Sequence, residues 1–154
     1  MKGLKVIRAT GQNAIDIYPL LVKASEEKAL PSNPSSKQLK DFYFGGLLKQ
    51  LGVHYQFHYW FLARRGRGFL GVIHAQIIPG PWDGSIETLV VTLIYVTKGR
   101  RKMGVGRKLV DAVLKEAENI GIKNIQFLCP DDAMEYWQKE RDAKKVSNLM
   151  RVDL

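Results

Sequence analysis

The stretch from Thr88 to Cys129 limits the fold more than any other part of the chain. An apolar run, Thr88 to Val96, gives way to the basic turn Thr97-Lys-Gly-Arg-Arg-Lys-Met-Gly104. After it, Val105, Leu109, Val113, Ala117 and Ile120 recur at helical spacing. Gly121 then sits where a helix C-terminus wants a residue at positive φ, and Asn124 to Cys129 reads as a strand. Strand, crossover helix and strand make a βαβ unit, so the two strands run parallel and are buried. The Gly-rich turn then lies at the carboxyl end of the first of them.

The remaining elements are arranged around this unit. A short strand is expected near Leu4 to Ala9, then a helix from about Gln12 to Lys28 carrying Ile15, Leu20, Leu21 and Ala24, with Pro19 disturbing it. The segment 30–36, Leu-Pro-Ser-Asn-Pro-Ser-Ser, is a loop by composition. Ser35 with Gln38 forms a capping-box start for a second helix through Gln50, which Gly45 and Gly46 weaken or bend. His54 to Arg64 and Gly68 to Ile78 are rich in aromatic and β-branched residues, and Arg65-Gly66-Arg67 between them suits a hairpin turn. Pro79 to Ser85 is turn-rich and leads into a long strand, Ile86 to Val96. Asp131 or Asp132 can cap a short helix through Glu140, and Asn148 to Leu154 alternates as a last strand. The sequence shows no internal repeat, low-complexity segment or linker.

With 154 residues and 45% hydrophobic content, the chain suits one full core, a single domain over 1–154. The longest apolar run is far short of a membrane span, and the charged N-terminal segment has no signal-peptide character. The lone Cys129 has no internal partner, which fits a reducing cytoplasm; it reads as a small buried hydrophobe. A net charge of +9 points to an anionic partner, and much of it is concentrated at Lys98, Arg100, Arg101, Lys102, Arg107 and Lys108 around the glycines. A smaller cluster lies at Arg64, Arg65 and Arg67.

A Gly-rich turn leading into a helix offers unpaired backbone N–H groups to an anion, and the helix dipole adds to the attraction. The spacing separates the phosphate-binding types. A mononucleotide loop needs Lys after its second glycine, whereas Val105 follows Gly104. A dinucleotide fingerprint needs a third glycine where Leu109 stands. What remains is R-x-x-G-x-G, Arg101 to Gly106. In this motif, and in the whole phrase L-I-Y-V-T-K-G-R-R-K-M-G-V-G-R-K-L-V over 93–110, the sequence resembles the GNAT superfamily of N-acetyltransferases. The order of elements along the rest of the chain is similar too.

The resemblance implies an α/β fold of the acyl-CoA N-acyltransferase type. Its twisted, mixed, mostly antiparallel sheet has one central, splayed parallel strand pair and is flanked by about four helices. It also implies acetyl-CoA as co-substrate. Backbone amides of Arg101, Lys102, Met103, Gly104, Val105 and Gly106 would hold its pyrophosphate, with Arg101, Arg107 or Lys108 screening the charge. Main-chain groups of Ile94, Tyr95 and Val96 would align the pantetheine arm and donate to the thioester carbonyl. Transfer to a small-molecule or protein amine would be direct, through a tetrahedral intermediate.

Such transfer benefits from a base and an acid. Family members often place a carboxylate or histidine on the long strand or its neighbour, which selects Glu87 and His74. Ungapped counting puts the family position at Val90, so Glu87 also suits a solvated strand end. His54 and His58 would share a strand face and line an acceptor cleft without forming a metal site. The family phrase A-x-x-F-Y-x-x-x-G-F corresponds to Ala133-Met-Glu-Tyr-Trp-Gln-Lys-Glu-Arg-Asp142. Trp137 then falls at the position of the acid tyrosine, with Tyr136 beside it as candidate acid or core residue. This departure leaves open a non-catalytic acyl-CoA-binding domain. A nucleic-acid-binding module is the weaker alternative: the charge suits it, but the sequence has no RNP-like phrase or zinc finger. The acceptor and the oligomeric state, a homodimer included, stay open.

Overall fold

The computed structural model of the chain describes residues 2–79, 87–128, 131–144 and 152. A 5-stranded sheet holds β1 (Leu4–Arg8), β2 (His58–Arg65), β3 (Gly68–Pro79), β4 (Glu87–Val96) and β5 (Asn124–Phe127) in sequential order. Neighbours are antiparallel except β4 and β5, which are parallel as the βαβ pattern requires. On one face lie α1 (Ala14–Glu26) and a continuous helical rod made of α2 (Ser36–Phe42), a π-helical turn (Tyr43–Leu47) and α3 (Leu48–Leu51). α4 (Val105–Ile120) packs on the opposite face, accompanied by α5 (Asp131–Arg141). The expected final strand, 148–154, and the turn segment 80–85 lie outside the described residues, apart from the isolated Val152.

Local chemistry explains most boundaries. Ser35 Oγ accepts from Gln38 N–H at 3.1 Å while Gln38 Oε1 accepts from Ser35 N–H at 2.7 Å, completing the capping box that starts α2. The glycine pair falls in the π-helical turn. A Cβ on Gly46 would come within 2.8 Å of the Phe42 ring, so glycine lets that ring lie against the rod. α1 continues through Pro19, but its core face is Ala14, Ile17, Leu20, Leu21 and Ala24. Ile15, expected in the core, is 69% exposed, because positions 14, 17, 21 and 24 follow the helical repeat and 15 falls off that stripe. The first hairpin strand also starts later than its composition suggests: Gly52 to Phe57 form successive turns, and the strand begins at His58. The hairpin closes tightly through Gly66, at φ +60, and Arg67.

Side chains alternate between the two cores along each strand. Tyr59, Phe61 and Ala63 join the core under α4, while Trp60 and Leu62 join the core under α1 and α2. β4 breaks this alternation. Leu89 and Val91 face α4, yet Leu93 and Tyr95 face α1 and the rod, an impossible parity for a regular strand. The register supplies the reason: His74 pairs with Leu93 and Ala75 with Val91, leaving Thr92 as the extra residue of a β-bulge. β5 pairs with β4 only from Thr88 to Val91, the last link being Leu128 N–H to Val91 O at 2.9 Å. Beyond the bulge, β4 has β3 on one side and, among the described residues, no strand on the other.

α4 anchors the sheet. Val105, Leu109, Val110, Val113 and Ala117 are buried, each large one contributing about 1.5–3 kcal/mol of apolar burial. Ile120, expected on the same stripe, is 38% exposed at the fraying end. The close approach of α4 to the sheet depends on Gly71, where a Cβ would meet Tyr95 O at 2.8 Å and Leu109 Cδ1 at 3.2 Å.

Candidate active site

The bulge places Thr92 and Leu93 on the wall of a cavity of about 320 Å³, bounded by α1, loop 30–34, the rod and the β2–β4 surface. His74, from the adjacent β3, closes the same wall. Its Nδ1 lies 2.5 Å from Thr92 Oγ1 and its Nε2 lies 3.0 Å from His58 Nδ1. The His74 ring also packs on Trp60, with centroids 4.4 Å apart. Burial, helped by the nearby His58, pushes the His74 pKa down to about 3, so its imidazole is neutral at physiological pH. A neutral imidazole donates from one nitrogen and accepts at the other, so the two bonds take opposite roles. His58 is half-buried, and its pKa is also lowered, first by burial and then by the exposed His54. Thr92, His74 and His58 thus form a continuous hydrogen-bonded path from the cavity wall towards the surface.

At its far end, β4 meets a different kind of site. The chain enters the left-handed region at Gly99 (φ +86), Lys102 (φ +63) and Gly104 (φ +84) before α4 begins. Lys108 N–H makes the first intrahelical bond, to Gly104 O at 3.1 Å, leaving the N–H groups that precede it at the helix start for another acceptor. Space around Gly104 is open, and a Cβ on Gly106 would find only Val96 Cγ2, at 3.8 Å. This cradle of amides with a cationic rim fits a diphosphate. The hairpin tip at Arg65 and Arg67 belongs to the same end of the sheet, because Gly71 pairs with Val96 and Leu70 O accepts from Thr97 N–H at 2.8 Å.

Two arginines of this region are themselves held. Arg101 donates from Nε to Val96 O at 3.0 Å and from its guanidinium to Glu27 Oε1 at 2.7 Å, while the Tyr95 hydroxyl donates to the other Glu27 oxygen. The hydrogen bond from Tyr95, with help from Arg101, holds the Glu27 carboxyl below its usual range. Burial and the Glu27 contact push Tyr95 up to about 12, so it remains a donor. Arg107 pairs with Glu140 at 2.7 Å, and Asp111 with Arg141 at 2.7 Å, tying the end of α5 to the start of α4. Lys102, Met103 and Lys108 are exposed.

The sequence candidates therefore divide. His74 lies at the bulge, Ile94 to Val96 continue β4 beyond it towards the turn, and Arg101 to Lys108 follow as the turn and first helical residues. Glu87 opens β4, opposite Pro79. Its position is about 16 Å of strand from Thr92, so the fold does not bring it to the cavity. Trp137 is buried and stacks on Phe127, centroids 4.6 Å apart, so the residue at the family tyrosine position serves the core. Tyr136 is 44% exposed and meets Trp137 edge-on. His54 lies in a turn, not on the strand with His58. Sequence reasoning passed over Thr92, Glu27 and the His58–His74 contact. Of these only Thr92 left a signal, as the one aliphatic hydroxyl inside Leu89-Val-Val-Thr-Leu-Ile-Tyr-Val96.

A mixed sheet with a bulged fourth strand and a Gly-rich turn opening the crossover helix is the architecture of the acyl-CoA N-acyltransferase fold class. The family model described as the acetyltransferase (GNAT) family matches residues 21–141, and the chain belongs to that family. Among solved structures the fold is similar to ribosomal-protein-alanine N-acetyltransferase from Brucella melitensis biovar Abortus 2308, with 22% identity and a TM-score of 0.72 over 97% of this chain and 99% of that one. It is also similar to a predicted acetyltransferase from Clostridium acetobutylicum, solved with acetyl-CoA, with 12% identity and a TM-score of 0.75 over 97% and 96% of the two chains. An aminoglycoside acetyltransferase from an uncultured soil metagenomic sample shares 15% identity and a TM-score of 0.73 over 99% and 97%. No curated protein matches the chain.

Proposed function

We propose that the protein is an acetyl-CoA-dependent N-acetyltransferase that moves the acetyl group directly to an amine. The observation that carries this reading is the placement of the cavity wall at Thr92 and Leu93 on the same strand whose end carries the diphosphate cradle. The amides of Arg101 to Gly106 hold the diphosphate, and main-chain groups of Ile94, Tyr95 and Val96 align the arm that follows. Acetyl-CoA supplies the acetyl group as an activated thioester.

The chain's own residues manage the amine and its proton. The mostly apolar lining of the cavity favours the uncharged amine. His74 has too low a proton affinity to hold a charge, but it need not hold one. Accepting a proton at one nitrogen while releasing one from the other to His58 keeps the ring neutral throughout. Tyr136 is the candidate donor to the leaving thiolate: Trp137, which it touches, stacks on Phe127, and Phe127 pairs with Val91 at the last described rung between β4 and β5. Calorimetric titration with acetyl-CoA, followed by thiol release on adding amines, tests the reading. No binding at physiological acetyl-CoA concentrations would overturn it. Binding without thiol release from any amine would leave an acyl-CoA-binding domain.

A further inference from the structure

We infer that the cavity accepts the body of a small apolar primary amine, an aryl- or alkyl-substituted one, and rejects polycationic amines. This rests on the acetyl-transfer reading and adds the substrate class. The walls are formed by Leu21, Leu30, Leu39, Phe42, Trp60 and Leu93. A volume of about 320 Å³ suits one or two rings with a short chain, at the small end of ligand pockets.

The acceptor oxygens of the two glutamines at this cavity, and the Thr92–His74 pair, are already engaged within the protein. Gln38 Oε1 caps Ser35 N–H at 2.7 Å, Gln50 Oε1 accepts from Trp60 Nε1 at 2.9 Å, and Thr92 and His74 bond each other. The described lining contains no carboxylate. Every ammonium of a polyamine or aminoglycoside brought inside would lose its water without gaining an anion, a penalty of several kcal/mol per charge. A monoamine with an apolar body avoids this. Its nitrogen sheds the proton on entry or at the His74–Thr92 end, and its remaining surface gains from apolar burial. The neutral amine adds to the thioester carbonyl, and collapse of the tetrahedral intermediate breaks the C–S bond. The nitrogen gives up a second proton through His74, and the departing thiolate takes one up from Tyr136, so that neutral amine and thioester become amide and thiol.

The test pairs calorimetric binding of amines without acetyl-CoA with thiol release in its presence. The probes are 2-phenylethylamine, tryptamine, spermidine and an aminoglycoside. The arylalkylamines should bind and react with kcat/KM at least about tenfold above the polycations. Arylalkylamines that bind without releasing thiol would support the cavity assignment and sink acetyl transfer. Preferred reaction of a polycation, without binding of arylalkylamines, would sink the assignment and leave transfer standing. No binding and no reaction with any probe would overturn both. Gln38→Glu adds a carboxylate at the lip and still completes the capping box, so the fold is retained. It should raise spermidine kcat/KM relative to phenylethylamine by about tenfold. An unchanged ratio in a folded variant would count against a charge-poor cavity as the source of selectivity.

Discussion

β4 serves two regions that solve opposite problems. At its end, the Thr97 to Gly104 turn is exposed and cationic, built to meet charge with backbone amides. At its middle, the Thr92 bulge opens an apolar cavity with few polar side chains, two of which, Thr92 and His74, bond each other. One site recognises by unsatisfied groups, the other by their scarcity. A solvated diphosphate can be met by donors with little dehydration, whereas an amine must be stripped of its proton and its water before it can react.

Substitutions that affect one region and spare the other test this division. Gly104→Val should have the largest effect, weakening acetyl-CoA binding by about a hundredfold, or about 2.7 kcal/mol, in calorimetry. The same change strains a residue held at φ +84 and lowers stability by about 1–2 kcal/mol. Gly121→Val supplies the control: at φ +81, at the other end of α4, it should cost similar stability and leave binding intact. Equal loss of binding in both would mean that the cradle has no special role.

His74→Phe should act in the reverse sense, lowering kcat by about a hundredfold while acetyl-CoA binds as before. It should also change the acid behaviour. Because the His74 pKa is depressed in the fold from 6.5 to about 3, its stabilising contribution is complete above pH 6.5 and is lost as pH falls towards 3. Thermal unfolding between those limits should therefore show a shallower decline in the variant than in the parent. Parallel declines would mean that His74 is protonated in the native state.

The smallest effects are expected where the regions touch. Glu27→Gln releases Arg101, and Glu140→Gln releases Arg107; each should tighten acetyl-CoA binding by up to about fivefold at low salt, fading as salt screens the charges. Glu27 also has a depressed pKa, so its pairing stabilises above the ordinary carboxylate range and is lost as acid protonates it. In acid, Glu27→Gln should therefore lose less Tm than the parent.

Features legible in the sequence were those fixed by near neighbours. The capping box at Ser35 and Gln38, the α4 stripe, the Gly121 cap and the parallel pair each follow from periodicity or from glycine at a fixed offset. Ile15 shows the limit of composition: an apolar residue one step off the stripe faces water. His54 and His58 looked like neighbours on one strand, but the turns at 52–57 part them, and the hydrogen-bonded neighbour of His58 comes from β3. Arg101 looked like a free phosphate ligand, yet Glu27, distant in sequence, reaches it from the end of α1.

The sequence by itself determined the strand, Gly-rich turn and helix of the proposed cofactor cradle, because backbone amides at a helix start need only glycine and local dihedrals to be presented. Tertiary structure alone decided the cavity. A bulge is a mismatch between two strands, and only the pairing of β3 with β4 shows that Thr92 is the extra residue. That single offset turns Leu93 towards α1, puts Thr92 beside His74, and shapes the cavity proposed to hold the amine.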